Sequence, residues 1–293
     1  MIARRLSVDV EGATVSVAEW AAPQPFRRTV LLLHGGGVDT AELSWGALGP
    51  ALASAGYRVL APDHPGFGRT PRATWSLTQQ RLIQYVGEVV DGLELTDYIV
   101  GGLSLGGGLT LGHTLERPDG PRGLMLLGSF GIMPRLVDSP LSSLTHYSTY
   151  LLLRSGLLAA MTRSYARNPA AMEHGLRSLV RDPSSRTREL VQAVIDEASS
   201  GTALETFGEW QRDQVQPRGL RTDYTDRLGD IDVPALVVHG DRDGGVGIAR
   251  ARTAAELLPQ GTLVEVPGAG HWVQRDRPDV VTAAIVDFLE NGV

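Results

Sequence analysis

The chain has 293 residues, 42% of them apolar and 20% charged, with a formal net charge of −6; this size and balance support a buried core and leave little room for extended disorder. All 27 basic residues are arginines, and without lysine there is no Schiff-base nucleophile, no pyridoxal-phosphate anchor and no P-loop. Cysteine is absent as well, which removes disulfides, thiol nucleophiles, iron–sulfur clusters and thiolate zinc sites, and the acidic balance argues against a nucleic-acid partner.

The opening residues Met1 to Val10 alternate polar and apolar side chains and lack the apolar core of a signal peptide. No stretch approaches the roughly 20 apolar residues of a membrane span. A soluble, cytoplasmic protein without a membrane partner is expected. Leu6–Val10 and Thr14–Trp20 read as a half-buried hairpin around Glu11-Gly12-Ala13. Thr29–Leu33, Tyr57–Ala61, Asp97–Val100, Gly123–Leu127 and Val233–Val238 are short apolar runs without alternation, as expected of strands covered on both faces in a parallel sheet. A last strand is expected at Thr262–Val266. Helical patterns separate most of these runs, at Trp45–Ser54, Leu77–Leu93, Leu105–Leu115 and Ala249–Leu258, and a final helix follows at Pro278–Leu289. That alternation predicts an α/β fold, a doubly wound, mostly parallel sheet. Residues 132–228 break the rhythm with helical patterns and no buried strand. They read as an inserted helical cap, a lid able to exclude water from a site, on a core domain formed by residues 1–131 and 229–293.

The strongest chemical signal is Gly102-Leu103-Ser104-Leu105-Gly106, directly after the run Tyr98-Ile99-Val100 and directly before a helical pattern. A serine on a sharp strand-to-helix turn needs small residues two before and two after it, so that neighbouring backbone can pass. Ser104 is therefore the candidate nucleophile. Its hydroxyl needs a base, and His271, in Gly268-Ala269-Gly270-His271-Trp272 after the last expected strand, is the last histidine of the chain. Such a loop at a strand's carboxyl end is where an open α/β sheet gathers its chemistry. The acid that orients the imidazole should fall between them in the chain. His239-Gly240-Asp241-Arg242-Asp243 offers two; Asp241 lies nearer the strand, placed to brace the turn, which favours Asp243. Backbone donors for the oxyanion are expected from Gly36, in His34-Gly35-Gly36-Gly37, and from the amide of Leu105. Gly37, Leu103 and Trp272 are the expected substrate contacts, although Trp272 could instead pack the histidine loop. No histidine pair has metal-ligand spacing and no dinucleotide fingerprint is present, so no metal and no cofactor are expected.

Together these motifs resemble the α/β-hydrolase superfamily of serine-nucleophile enzymes with a helical cap, over nearly the whole chain. Asp63-His64-Pro65-Gly66-Phe67-Gly68 is similar to that family's loop after the next strand, and the family's acid position matches Asp243. An alternative family position for the acid holds Gly128-Ser129, without a carboxylate. The resemblance implies a cofactor-independent hydrolase of a small acyl substrate, forming an acyl-enzyme. Within the family, His34 to Gly37, Asp182-Pro183-Ser184 and His271-Trp272-Val273-Gln274 look most like hydrolases that cleave a carbon–carbon bond in aromatic ring-cleavage products. Two departures point away from them: Leu103 stands where those enzymes place asparagine, and Val194 falls where a cap arginine would grip a substrate carboxylate. A carboxylic ester with apolar flanks is the leading expectation and carbon–carbon hydrolysis the alternative. A non-catalytic ligand-binding member of the fold is the third reading. Dehalogenases and epoxide hydrolases of similar architecture need aspartate at the position of Ser104. Perhydrolases share the serine triad. The sequence leaves the oligomeric state open.

Overall fold

The computed structural model describes residues 3–138, 141–200 and 202–293. The chain begins with a hairpin of β1 (Arg4–Val10) and β2 (Ala13–Trp20), turned at Gly12, whose φ of 72° suits a residue without a side chain. It continues through β3 (Thr29–Leu33), the short helices α1 (Ala41–Trp45) and α2 (Leu48–Ser54), β4 (Arg58–Pro62), α3 (Gln79–Gly92), β5 (Tyr98–Leu103), α4 (Leu105–Glu116) and β6 (Leu124–Leu127). The chain then leaves the sheet for helices α5 (Ser142–Arg154), α6 (Leu157–Ala166), α7 (Pro169–Leu179), α8 (Arg188–Ser200) and α9 (Thr202–Gln214), followed by a two-stranded hairpin, β7 (Val215–Gln216) and β8 (Gly219–Leu220). It returns at β9 (Ala235–Gly240), α10 (Ile248–Leu257), β10 (Gly261–Val266), α11 (Val273–Asp276) and α12 (Pro278–Asp287).

Eight strands form one sheet in the order β1-β2-β4-β3-β5-β6-β9-β10. Only the β1–β2 and β2–β4 pairings are antiparallel; the others are parallel. Successive side chains point to opposite faces, so each central strand feeds two cores. Leu31, Val100, Leu126 and Val237 join α3, α4 and α10 on one face. Val30, Leu32, Ile99, Leu127 and Val238 meet α2 and α12 on the other. Burial on both faces is why these runs are continuously apolar, and the doubly wound expectation holds.

Element ends shift where local polar chemistry outweighs the apolar pattern. The helix expected at Trp45–Ser54 is two helices, the first starting earlier because Thr40 accepts a hydrogen bond from the Leu43 amide at 3.0 Å and caps it. β5 runs on through Gly101 and Gly102, which pair with Leu32 and Leu33, so glycines that punctuate the pattern lie inside the strand. The helical insertion is tied to the core at a few points. Apolar residues of α7 and α8, among them Met172, Leu176 and Val194, share a cluster with Trp272 and Val273. Trp210 of α9 is buried, and its indole donates to Gln79 Oε1 at 3.0 Å. Among the described residues no helix is long and apolar enough to cross a membrane.

Candidate active site

Between the end of β5 and the start of α4 stands a single residue, Ser104, at φ 52° and ψ −116°. A side-chain-bearing residue adopts a positive φ only when its surroundings impose it. Here the surroundings are backbone. A Cβ on Gly102 would come 2.1 Å from the carbonyl of Gly106, and one on Gly106 would come 2.1 Å from Leu33 O. The Ser104 amide donates to Leu127 O at 2.9 Å, and its carbonyl accepts from the amides of Phe130 at 2.9 Å and Gly108 at 3.1 Å. The bend is thus held on both sides, with the serine half-buried at the carboxyl end of the parallel strands.

Asp243 and His271 come from the loops after β9 and β10, parallel neighbours. His271 Nδ1 donates to Asp243 Oδ2 at 2.8 Å. Asp243 Oδ1 accepts from the amides of Gly245 at 2.7 Å and Val246 at 3.1 Å. Burial alone would raise the Asp243 carboxyl, but hydrogen bonds from His239 and His271 outweigh it and hold the group well below the usual carboxylate range. An ionised Asp243 keeps the proton on Nδ1 and leaves the Nε2 lone pair free to accept a proton. Asp241 sits apart, accepting from the Gly268 amide at 2.6 Å, and so braces the β9 and β10 loops against each other. Ser104 and His271 line one cavity, and none of the described hydrogen bonds joins Ser104 Oγ to the ring. Unliganded sites often hold this pair loosely.

The glycine loop after β3 has its own scaffold. His64 donates its amide to His34 Nε2 at 2.9 Å, so His34 carries its proton on Nδ1 and donates it to Gly35 O at 2.7 Å. Burial lowers His34 to about 3 and keeps it neutral. Asp39, fully buried, accepts from the Gly35 amide and Ser44 Oγ at 2.7 Å each and from the Thr40 amide at 2.8 Å. With the Gly35 amide so engaged, the Gly36 amide has no intramolecular acceptor among the described residues. The Leu105 amide opens α4 and has no partner within that helix. A Cβ on Gly36 would fall 2.2 Å from the Phe207 ring, so α9 packs directly on this loop and only glycine fits beneath it.

The cavity holding Ser104 and His271 has a volume of about 320 Å³. The glycine loop and Trp272 form its floor, and Met172, Leu176, Val194 and Leu204 come from the helical insertion. Its lining contains no Asp, Glu or Arg. A second chamber of about 480 Å³ adjoins it, sharing Gly37, Tyr165 and Leu204, and is edged by Arg72, Arg163, Arg212, Glu205 and Glu209. Gly37 and Trp272 therefore lie where substrate contacts were expected. Leu103 does not: as the last residue of β5 it turns toward the sheet face, fully buried with Leu127, Val238 and Trp272. The Leu105 side chain is buried in the opposite cluster, which leaves only its amide free to face the site.

Several contributors escape a motif search. Asp276 accepts from the Gly270 amide at 2.6 Å and from the amides of Arg181 and Asp182 at 2.8 and 2.7 Å, locking the loop before His271 to the insertion. Asp39 lies beyond the His-Gly motif, and only its spacing of four from Gly35 hints at a role. Glu209 accepts from Arg72 Nη2 at 2.5 Å and from the Leu77 amide at 2.9 Å, holding α9 beside the core.

A serine on a strand-to-helix elbow, with a histidine–aspartate pair at neighbouring strand ends of a mostly parallel sheet, defines the serine-nucleophile class of α/β-hydrolase folds. Residues 28–278 match the family model described as alpha/beta hydrolase fold, and the chain belongs to that family. It is 26% identical over 288 residues to the 2-hydroxy-6-oxo-6-(2'-aminophenyl)hexa-2,4-dienoic acid hydrolase of Metapseudomonas resinovorans, across 96% of this chain and 89% of that protein. The solved meta-cleavage product hydrolase of Pseudomonas fluorescens IP01 is similar with a TM-score of 0.79 at 22% identity, over 98% of each chain. Carboxylesterase CesB of Bacillus subtilis is similar with a TM-score of 0.74 at 19% identity, over 100% of this chain and 93% of that one. At these identities the structural likeness speaks for the fold.

Proposed function

We propose that the chain is a cofactor-independent serine hydrolase of carboxylic esters or related acyl compounds whose group next to the scissile bond is uncharged. One observation carries the reading: Ser104 and His271 open into the same cavity, backed by Asp243, and the remaining wall of that cavity is mostly apolar or glycine and holds no Asp, Glu or Arg. Ser104 Oγ attacks the acyl carbon while His271 Nε2 takes the hydroxyl proton, and the amides of Gly36 and Leu105 receive the charge that develops on the carbonyl oxygen. His271 passes the proton to the departing alkoxide. Water, deprotonated by the same ring, then releases the acid from Ser104. Residues 132–228 act as the cap, closing over the cavity and setting which acyl or alcohol group fits.

The alternative, carbon–carbon bond hydrolysis, draws support from relatives such as the dienoic acid hydrolase of Metapseudomonas resinovorans. A dienoate brings a carboxylate, which needs a cationic partner on leaving water. The inner cavity offers none, and Val194 lines it where the family comparison would place an arginine. Turnover of p-nitrophenyl acetate and butyrate is to be compared with that of 2-hydroxy-6-oxo-6-phenylhexa-2,4-dienoate. Ester hydrolysis that is faster, and is lost by about 10⁴-fold or more in Ser104→Ala, supports the ester reading. Faster dienoate cleavage would reverse it, and full activity in Ser104→Ala would sink both.

A further inference from the structure

Eight of the ten large apolar side chains that are exposed among the described residues lie between Val137 and Tyr165. They are not scattered. Leu144, Tyr147 and Leu151 recur at spacings of three and four along α5, and Leu157, Met161 and Tyr165 at spacings of four along α6. Each set makes a stripe on its helix. The two helices pack against each other through a turn at Ser155-Gly156. On the other side of α5 His146 and Leu153 are buried, while on α6 Leu158 and Thr162, next to the stripe, line the outer chamber. Concentrated exposed apolar surface of this kind marks an interaction site.

Charge says what covers it. From residue 139 to residue 172 there is no Asp or Glu, although the whole chain carries 33 acidic residues and a net charge of −6. The same segment holds Arg154, Arg163 and Arg167, all exposed. Among the described residues none of the three is ion-paired; Arg154 lies over the Tyr150 ring at 5.4 Å instead. Flanking carboxylates are already engaged, Asp138 by Arg250 and Glu173 by Arg177. Apolar stripes with unpaired arginines and no acidic residue match the requirements of a helix lying in an anionic lipid surface. A second copy of an acidic chain would gain nothing from that charge unless it presented a carboxylate patch.

We infer that the α5–α6 hairpin is a docking surface for an anionic phospholipid bilayer, a peripheral contact distinct from any membrane span. Its place in the fold gives the contact a use. Tyr165 belongs to the exposed stripe and also lines both chambers, so the docked face adjoins the entrance to Ser104. On the hydrolase reading above, esters dissolved in the bilayer would enter by this route; docking itself does not depend on that reading.

The test is vesicle co-sedimentation of the full chain with phosphatidylcholine alone and with phosphatidylcholine containing about 30% phosphatidylglycerol, at low salt and at about 0.5 M salt. Two variants accompany it: Leu144→Ser/Leu151→Ser/Met161→Ser removes apolar exposure, and Arg154→Gln/Arg167→Gln removes charge. Circular dichroism melting confirms that each is folded. Binding to the anionic vesicles should exceed binding to neutral ones by about ten-fold, fall by about ten-fold at high salt, and fall similarly in both variants. Hydrolysis of a soluble ester should be unchanged in both. Absence of binding, equal binding to both lipids, or binding indifferent to the variants would overturn the proposal. So would light scattering that shows a dimer abolished by the serine variant, since the face would then belong to a second copy. Loss of ester activity in Ser104→Ala bears on the catalytic reading alone, because that variant should still bind vesicles.

Discussion

The floor and the roof of the cavity are built by different rules. Ser104, Asp243 and His271 sit on loops that follow paired parallel strands, so the sheet's register sets their mutual positions, and each loop is further pinned by backbone hydrogen bonds. The roof is a set of helices held by side chains: the apolar faces of α7 and α8, the Trp210 indole, and the Asp276 and Glu209 carboxylates. Backbone-fixed parts give the angular precision that proton transfer needs. Roof side chains can be exchanged at a cost in local packing without disturbing the elbow. Rate should therefore be governed by the floor and selectivity by the roof.

The largest effect that would break this division lies in the floor. Asp243→Asn removes the carboxylate that fixes the His271 proton on Nδ1, and turnover should fall by about 10⁴-fold with the fold intact. Asp241→Asn is the matched control two residues away. Its amide oxygen still accepts from the Gly268 amide but without the carboxylate's charge, a loss of at most about 1 kcal/mol, so the melting temperature should fall by no more than about 2–4 °C while turnover stays within a few-fold. Steady-state kinetics and calorimetry on the two proteins decide the point. If Asp241→Asn proved the more damaging to turnover, the assignment of the acid would be exchanged.

A smaller effect sharpens the roof. Leu204 of α9 lines both chambers, so Leu204→Ala should widen the passage between them. The kcat/KM ratio for octanoyl over acetyl p-nitrophenyl esters should rise by about ten-fold, the scale on which apolar pockets discriminate between chain lengths. Labelling of Ser104 by a small fluorophosphonate should keep its rate. Slowed labelling would mean that the helical wall also positions the nucleophile, and the division between floor and roof would fail.

The same contrast explains what could be read from sequence. The floor is legible because its constraints are local: Gly102 and Gly106 must be glycine because a Cβ at either would fall 2.1 Å from neighbouring backbone, and an apolar run must precede them for the sheet. Asp241 is legible as a brace by its place next to the strand, and its partner is the Gly268 amide. The roof resisted, because which face of α7 or α8 meets the cavity depends on contacts far along the chain. Leu103 failed for a related reason. Its neighbour is the proposed nucleophile, yet strand alternation sends the Leu103 side chain into the core. Glu209 and Trp210 gave no signal, since their partners Arg72 and Gln79 lie more than 130 residues away. Asp39 is nearer at hand, but a carboxylate that holds an amide four residues before it belongs to no catalytic motif.

Asp39 supplies the smallest and most selective test of the floor. Burial raises its carboxyl to about 7, although hydrogen bonds from Ser44 and from the Gly35 and Thr40 amides pull the other way. In the unfolded chain such a group titrates near about 4. Between about pH 4 and about pH 7 the folded chain therefore holds a proton that the unfolded chain has released. The stability this group contributes is complete below about pH 4 and declines as pH rises toward about 7. Asp39→Asn cannot titrate, so subtracting its melting curve removes the contribution of every other ionisable group. The melting temperature of the native chain minus that of the variant should shrink by a few degrees between about pH 5 and about pH 7.5. A difference that stays constant would mean that Asp39 is ionised throughout and that its three hydrogen bonds outweigh its burial. The glycine loop would then be anchored by a permanent charge, and ester turnover should lose any pH dependence traceable to this residue.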